Sequence, residues 1–245
     1  MRKPLINENF FSDWSHEMSY ILGFSVADGS IYKRRDRKDS FIFNITNKDY
    51  CILENIKRAM GAGYRIGTKA SGYTGKKDYY YLQISNKQVC KDLLSLGIRP
   101  RKTYRLDPIR VPNEYFPDFT RGFFDGDGTV YIYEVNKTPQ IKAEFISTSL
   151  PFLKELNQRL CRNLRIPPKS IHRESIKGKM TMYGICFYID DCERLANFMY
   201  DRNSSLYLRR KRQIFEKWKS IKRRRYFKQN YPSKIGWHLN QKLYA

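Results

Sequence analysis

Asp28 and Asp127 stand at the same place in two copies of one pattern, LGFSVADGSIY ending at Tyr32 and RGFFDGDGTVY ending at Tyr131, offset by 99 residues throughout. Gly23/Gly122, Phe24/Phe123, Asp28/Asp127, Gly29/Gly128 and Tyr32/Tyr131 are identical pairs. Each copy reads as a helix closed by Asp-Gly. Glycine is ordinary there, because it adopts the left-handed turn without steric cost. Aspartate is not: the helix C-terminus carries partial negative charge, so an acid in the last turn costs about 0.3–1 kcal/mol. The same unfavourable choice made twice implies a use. Gly23 with Ala27, and Gly122 with Gly126, are small residues at i and i+4, which lets two helix backbones approach closely. If those faces pack together, Asp28 and Asp127 become neighbours. Adjacent carboxylates repel unless a cation lies between them, and hard oxygen donors select Mg²⁺-like ions. Metal-assisted phosphodiester hydrolysis is chemistry that such a site can do.

The elements that must position these acids also come in two sets. Alternation and turn residues predict strands over about 30–35, 40–47, 63–69 and 78–85, and helices over about 14–27, 49–60 and 86–96. The second half repeats the order, with strands over about 129–135, 140–147, 170–176 and 180–188 and helices over about 117–126, 150–163 and 190–200. We read a first repeat over 1–97, a linker over 98–116, a second repeat over 117–220 with a terminal helix, and a basic tail over 221–245. The linker carries Pro100, Pro108 and Pro112 and suits an extended strap.

Composition points the same way. Forty-seven Lys+Arg against 24 Asp+Glu leave a formal charge of +23 on 245 residues, the signature of a polyanion partner. A hydrophobic fraction of 41% is too rich for a disordered chain. No stretch approaches a membrane span, and the start lacks a signal-peptide core, so an intracellular protein without membrane or secretory role is expected. The five cysteines, Cys51, Cys90, Cys161, Cys186 and Cys192, form no C-x-x-C and read as reduced core thiols. With only His16, His172 and His238, none beside a cysteine, a structural zinc site is not expected.

LGFSVADG and RGFFDGDG together resemble the LAGLIDADG signature of homing endonucleases, present twice as in the single-chain members. The resemblance covers nearly the whole chain. It implies an α+β fold of two pseudo-symmetric αββαββα repeats, with paired central helices and two antiparallel sheets forming a DNA-binding saddle. It places the metal-binding acids at Asp28 and Asp127, with the carbonyls of Ala27 and Gly126, and Mg²⁺ or Mn²⁺ as cofactor. Ca²⁺ would support binding without cleavage. The inner Asp of the signature is Val26 in the first repeat and Asp125 in the second, where we read Asp125 as a structural acid. The resemblance also assigns Asn47 and Thr148 to the pocket of the attacking water, with helix N-capping as the alternative. It sets Lys102 and Lys211 beside the scissile phosphates, where a cation stabilises transition-state charge. A solvated basic surface is the alternative for both. The cuts would leave 3′ overhangs and initiate intron mobility.

For holding duplex DNA, the tip KRRDRKDS is too charged to fold inward, and β-ribbons of this kind can enter the major groove. Candidate contacts are Tyr32, Lys33, Arg34, Arg35, Arg37, Lys38 and Asn44 from that hairpin, and Lys137 and Gln140 from its counterpart. Lys69, Lys76, Lys77, Arg173, Lys177 and Lys179 would come from the outer hairpins. In the run Tyr79–Tyr81, alternation sends one side to the core and the other to the groove. From Arg209 to Lys228 there are 11 Lys/Arg and one acid, Glu216, which suggests phosphate contacts or a basic tail. The expected protein is therefore a monomeric site-specific double-strand DNA endonuclease, at work with DNA in a bacterial or phage cytoplasm or an organelle, with no obligate protein partner. An RNA maturase that binds its intron RNA on the same scaffold is the rival. Retention of both acids favours the nuclease, since folding assistance needs neither.

Overall fold

The structure, a computed structural model, describes residues 4–34, 41–70, 75–76, 78–100, 106–175, 181–201 and 206–230, with 226–230 as backbone. In the first half α1 (His16–Asp28) leads into β1 (Gly29–Lys33), β2 (Phe41–Asn47), α2 (Tyr50–Ala59), β3 (Ile66–Lys69), β4 (Tyr79–Ile84) and α3 (Lys87–Ser95). The second half repeats the order with α4 (Phe116–Asp127), β5 (Thr129–Val135), β6 (Thr138–Ser147), α5 (Leu150–Leu164), β7 (Ile171–Glu174), β8 (Met182–Tyr188) and α6 (Ile189–Tyr200). A last helix, α7 (Arg209–Asn230), completes the chain's described elements. It runs unbroken through residue 220, where the sequence reading ended the second repeat, so much of the basic run lies on a helix.

Each half holds one four-stranded antiparallel sheet, ordered β1-β2-β4-β3 and β5-β6-β8-β7. Alternation decides the faces. Ile31, Phe43, Ile45, Leu82 and Ile84 are buried toward the helices in the first sheet, as are Val130, Ile141, Phe145, Ile185 and Phe187 in the second. Their neighbours Tyr32, Asn44, Gln140 and Cys186 lie on the opposite, open faces. Tyr80 packs on the core, while Tyr79 and Tyr81 take the open side. The β5–β6 hairpin closes on two residues, Asn136 at φ 50° and Lys137 at φ 60°, the conformation a two-residue turn needs to match strand twist.

α1 and α4 pack against each other between the two sheets. In α1 every residue from Met18 to Val26 is buried, as befits a helix covered on all sides. Phe215 and Trp218 of α7 are 2% exposed, so the start of this basic helix belongs to the core. Buried Arg121 ties α4 to the end of α6 and the approach to α7: its guanidinium donates to the Met199 and Leu206 carbonyls and to Asp118, whose other oxygen meets His16 Nδ1 at 2.8 Å. Cys90, Cys161 and Cys192 are buried as expected, whereas Cys51 is exposed. No helix among the described residues is long and apolar enough to cross a membrane.

Candidate active site at the meeting of two helices

The close approach of α1 and α4 follows from four small residues. A methyl on Gly23 would lie 2.1 Å from the Phe119 carbonyl oxygen, and one on Gly122 would lie 2.0 Å from that of Tyr20. Neither backbone has room for a side chain there. At the C-terminal end, a methyl on Gly126 would lie 2.2 Å from Ala27 Cβ and 3.7 Å from the carboxyl carbon of Asp28. The acid of one repeat thus rests against the helix end of the other. Asp28 and Asp127 are both half-buried, at the point where two buried helices reach the surface.

The glycines that come after the acids differ from the expectation of a left-handed turn. Gly29 (φ −86°, ψ 154°) and Gly128 (φ −74°, ψ 158°) are extended. Their requirement is space: a methyl would meet the Ser25 oxygen at 2.5 Å in one case and the Phe124 ring at 2.3 Å in the other. Each chain turns from helix straight into strand against its own last turn.

Around Asp28, Asn47 at the end of β2 donates from Nδ2 to Oδ2 at 2.6 Å, while its Oδ1 accepts the Asp49 amide at 2.8 Å. Asn47 is therefore not the N-cap of α2, a position held by Asp49. One amide side chain braces the helix start and steers the acid.

The structure shifts its counterpart in the second repeat. Gly29 pairs with Ile45, and the ladder that joins Thr129 to Glu144 sets Gly128 opposite Phe145, so the offset between repeats grows from 99 to 100 across the hairpin. Asn47 then corresponds to Ser147, not Thr148. Ser147 Oγ accepts the Ser149 amide at 3.1 Å, as Asn47 does for Asp49. Thr148 lies one residue on, half-buried, and is no N-cap either, since Ser149 caps α5.

Lys211 corrects the alternative of a solvated surface lysine. It is 4% exposed, and its ammonium donates to the carbonyls of Phe124 and Asp125 at 2.7 Å and of Gly128 at 2.5 Å. A buried cation thus caps the C-terminus of α4, offsetting the unfavourable field in which Asp127 sits. Burial pulls its pKa down to about 8 against the pull of Asp125, Asp28 and Asp127. Lys102, its sequence counterpart, lies outside the described residues, as do Arg35, Arg37, Lys38, Lys77, Lys177 and Lys179.

Asp125 faces inward. Tyr20 donates to Oδ2 at 2.9 Å, the Leu208 amide to Oδ2 at 2.8 Å and Tyr200 to Oδ1 at 3.1 Å. Desolvation raises its pKa to about 6 although all its partners favour the charge. It joins α1, α6 and the entry to α7, a fully buried structural role. These partners, with Arg121 and Asp118, went unseen in the sequence; Arg121 at the place of Leu22 was the available signal.

Of the other expected DNA contacts, Tyr32 and Tyr131 are each 41% exposed at matching positions on the open faces. Asn44 and Gln140 share those faces, and Lys69 aligns with Tyr79 on the first. Lys33, Lys76 and Lys137 are exposed, and Arg34 is half-buried beside the first hairpin tip. Arg173 departs from expectation: alternation sets it beside Ile171 on the helix side and puts His172 and Glu174 on the open face.

Residues 15–97 match the family described as LAGLIDADG-like domain. The chain is 26% identical over 210 residues to MJ0398, an uncharacterised protein of Methanocaldococcus jannaschii, covering 83% of this chain and 71% of that one. The LAGLIDADG homing endonuclease I-GzeII, solved with its DNA target, is similar with a TM-score of 0.58 at 12% identity, over 89% of this chain and 93% of that one. I-SmaMI, bound to an uncleaved DNA target with calcium ions present, gives 0.54 at 14% identity, over 88% and 94%.

Proposed function

As a chain whose first repeat matches the LAGLIDADG-like domain and whose whole fold is that of the single-chain LAGLIDADG endonucleases, this protein, we propose, is a site-specific double-strand DNA endonuclease of the homing type. One observation carries the reading: each repeat brings one half-buried aspartate to a helix junction so tight that Gly126 has no room for a side chain against Ala27. A fold that only bound nucleic acid would have no reason to hold two acids in the negative field of two helix ends.

The donors at this junction are all oxygen, the carboxylates of Asp28 and Asp127 with the carbonyls of Ala27 and Gly126, and such a set suits Mg²⁺ or Mn²⁺. A divalent ion bound there supplies Lewis-acid stabilisation of charge on a phosphodiester. The chain's own residues do the rest. Asn47 fixes the rotamer of Asp28, Lys211 neutralises the end of α4, and Ser147 holds the corresponding corner of the second repeat. Tyr32, Asn44, Lys69 and Gln140 on the open faces, with Lys137 at the hairpin tip, would lie along the duplex. In this reading the two sheets form the saddle, each repeat serves one strand, and the product carries 3′ overhangs. Both acids come from one chain, so a monomer suffices. Ca²⁺ should support binding without cleavage, in keeping with the uncleaved target of I-SmaMI. Intron mobility inside a cell is the biological setting that this activity fits.

The test is a cleavage selection on randomised duplexes with and without Mg²⁺. Recovery of one family of sites, cut on both strands and only with the ion, is the expected result. Intact duplexes, together with tight binding of folded RNA, would favour the maturase.

A further inference from the structure

Three strands of the second sheet bring three unlike donors to one spot on its open face. Glu144 on β6 pairs across the ladder with Cys186 on β8, and His172 on β7 pairs with Gly184 on β8. Gly184 makes room for the group, since a methyl there would meet the His172 Cε1 and Nε2 atoms at 2.3 Å and Glu144 Oε1 at 2.9 Å. The imidazole therefore lies across the strand, Nε2 2.8 Å from Glu144 Oε1 and Nδ1 3.9 Å from Cys186 Sγ. One ligand atom from each residue lies within 4.8 Å of the other two. Lys142 Nζ holds Glu144 Oε2 at 3.0 Å and so leaves Oε1 toward the histidine. No sequence spacing announces the group: His172 and Cys186 are 14 residues apart and meet only through strand pairing.

We propose that Glu144, His172 and Cys186 form a second cation site, for a Zn²⁺-like transition metal, chemically distinct from the oxygen site at Asp28 and Asp127. Thiolate and imidazole suit borderline-soft ions, whereas Mg²⁺ and Ca²⁺ take oxygen. Zn–S near 2.3 Å and Zn–N near 2.0–2.1 Å in a tetrahedron put sulfur and nitrogen about 3.6 Å apart. The observed 3.9 Å at Nδ1 needs only a small shift to close, and Glu144 Oε1, which now meets the other ring nitrogen, must swing to the same side of the imidazole to complete the set. Binding exchanges the Cys186 proton for the metal, and the proton leaves to solvent. Three protein ligands leave a fourth position open, which makes the site exchangeable and not a structural staple.

Cobalt tests this on the reduced full-length chain, because a cobalt–thiolate bond gives a charge-transfer band in the near ultraviolet. Wild type should develop the band, saturate at one equivalent and lose it when Zn²⁺ is added. Cys186→Ser should abolish it, His172→Ala should weaken Co²⁺ binding at least tenfold, and Asp28→Asn should leave it intact. Circular dichroism checks that each variant is folded, and the wild-type titration needs no variant at all. Absence of the band in wild type would overturn the proposal. So would a band that persists in Cys186→Ser, which would place the thiolate elsewhere, at exposed Cys51 for example. The result does not depend on nuclease activity.

Discussion

Asp125 and Val26 hold the same place in the two repeats, and their surroundings differ. Val26 is 3% exposed in the core, whereas Asp125 accepts from Tyr20, Tyr200 and the Leu208 amide. Asp125→Val should leave three buried donors without an acceptor and cost about 3 kcal/mol or more, at about 1–3 per group. Asp125→Asn, which keeps one acceptor oxygen, should cost less. Urea midpoints at constant slope measure both, and each variant should still cleave when folded, since protein donors occupy both carboxylate oxygens of Asp125. Asn47→Ala should lower activity or metal affinity by about 10–100-fold, the usual cost of losing a group that orients a ligand. Single-turnover cleavage checks it, with Ser147→Ala expected to behave like Asn47→Ala and Thr148→Val to stay near wild type. Asp28 and Asp127 were legible in the sequence because duplication exposed them. The partners of Asp125 were harder to read than its structural role, as Tyr20 and Tyr200 lie 105 and 75 residues away.

Among elements, the contact between α1 and α4 matters most. Gly122→Ala should push the helices apart, because the added methyl would sit 2.0 Å from the Tyr20 carbonyl oxygen and neither backbone can yield cheaply. Overpacking of this kind costs roughly 1–3 kcal/mol. Thermal unfolding should show the loss and cleavage should fall with it; an unchanged melting temperature and unchanged activity would mean that the helices do not meet there. Element order and strand faces were readable from periodicity, since burial on one face leaves alternation in the sequence. Register was not. The second hairpin carries one more residue than the first, so the strand-end position that matches Asn47 falls at Ser147, offset by 100, and not at Thr148. The length of α7 was hidden too, because a charge run looks alike on a helix and in a tail, and its buried side is marked by a few residues such as Phe215 and Trp218.

At the scale of the whole molecule, a charge of +23 sets how the proposed endonuclease would meet DNA. If about eight phosphates are neutralised, log K should fall against log salt with a slope near −7, from roughly −0.9 per phosphate. Arg223 and Arg224 are exposed on α7, while Lys222 beside them is held by Asp190 and Glu193. Changing both arginines to Gln should therefore flatten the slope by about 2 while leaving sequence preference intact, because phosphate contacts position and base contacts specify. Equilibrium binding to a cognate and a scrambled duplex across a salt series measures both effects. The proposed cleavage rests on a narrower requirement, that one aspartate from each repeat is needed to break both strands. It is tested by incubating a plasmid that carries the selected site with wild type, Asp28→Asn or Asp127→Asn in Mg²⁺, after showing that all three bind the site equally in Ca²⁺. Linear product is expected from wild type and none from either variant, and linearisation at the wild-type rate by either variant would contradict the requirement.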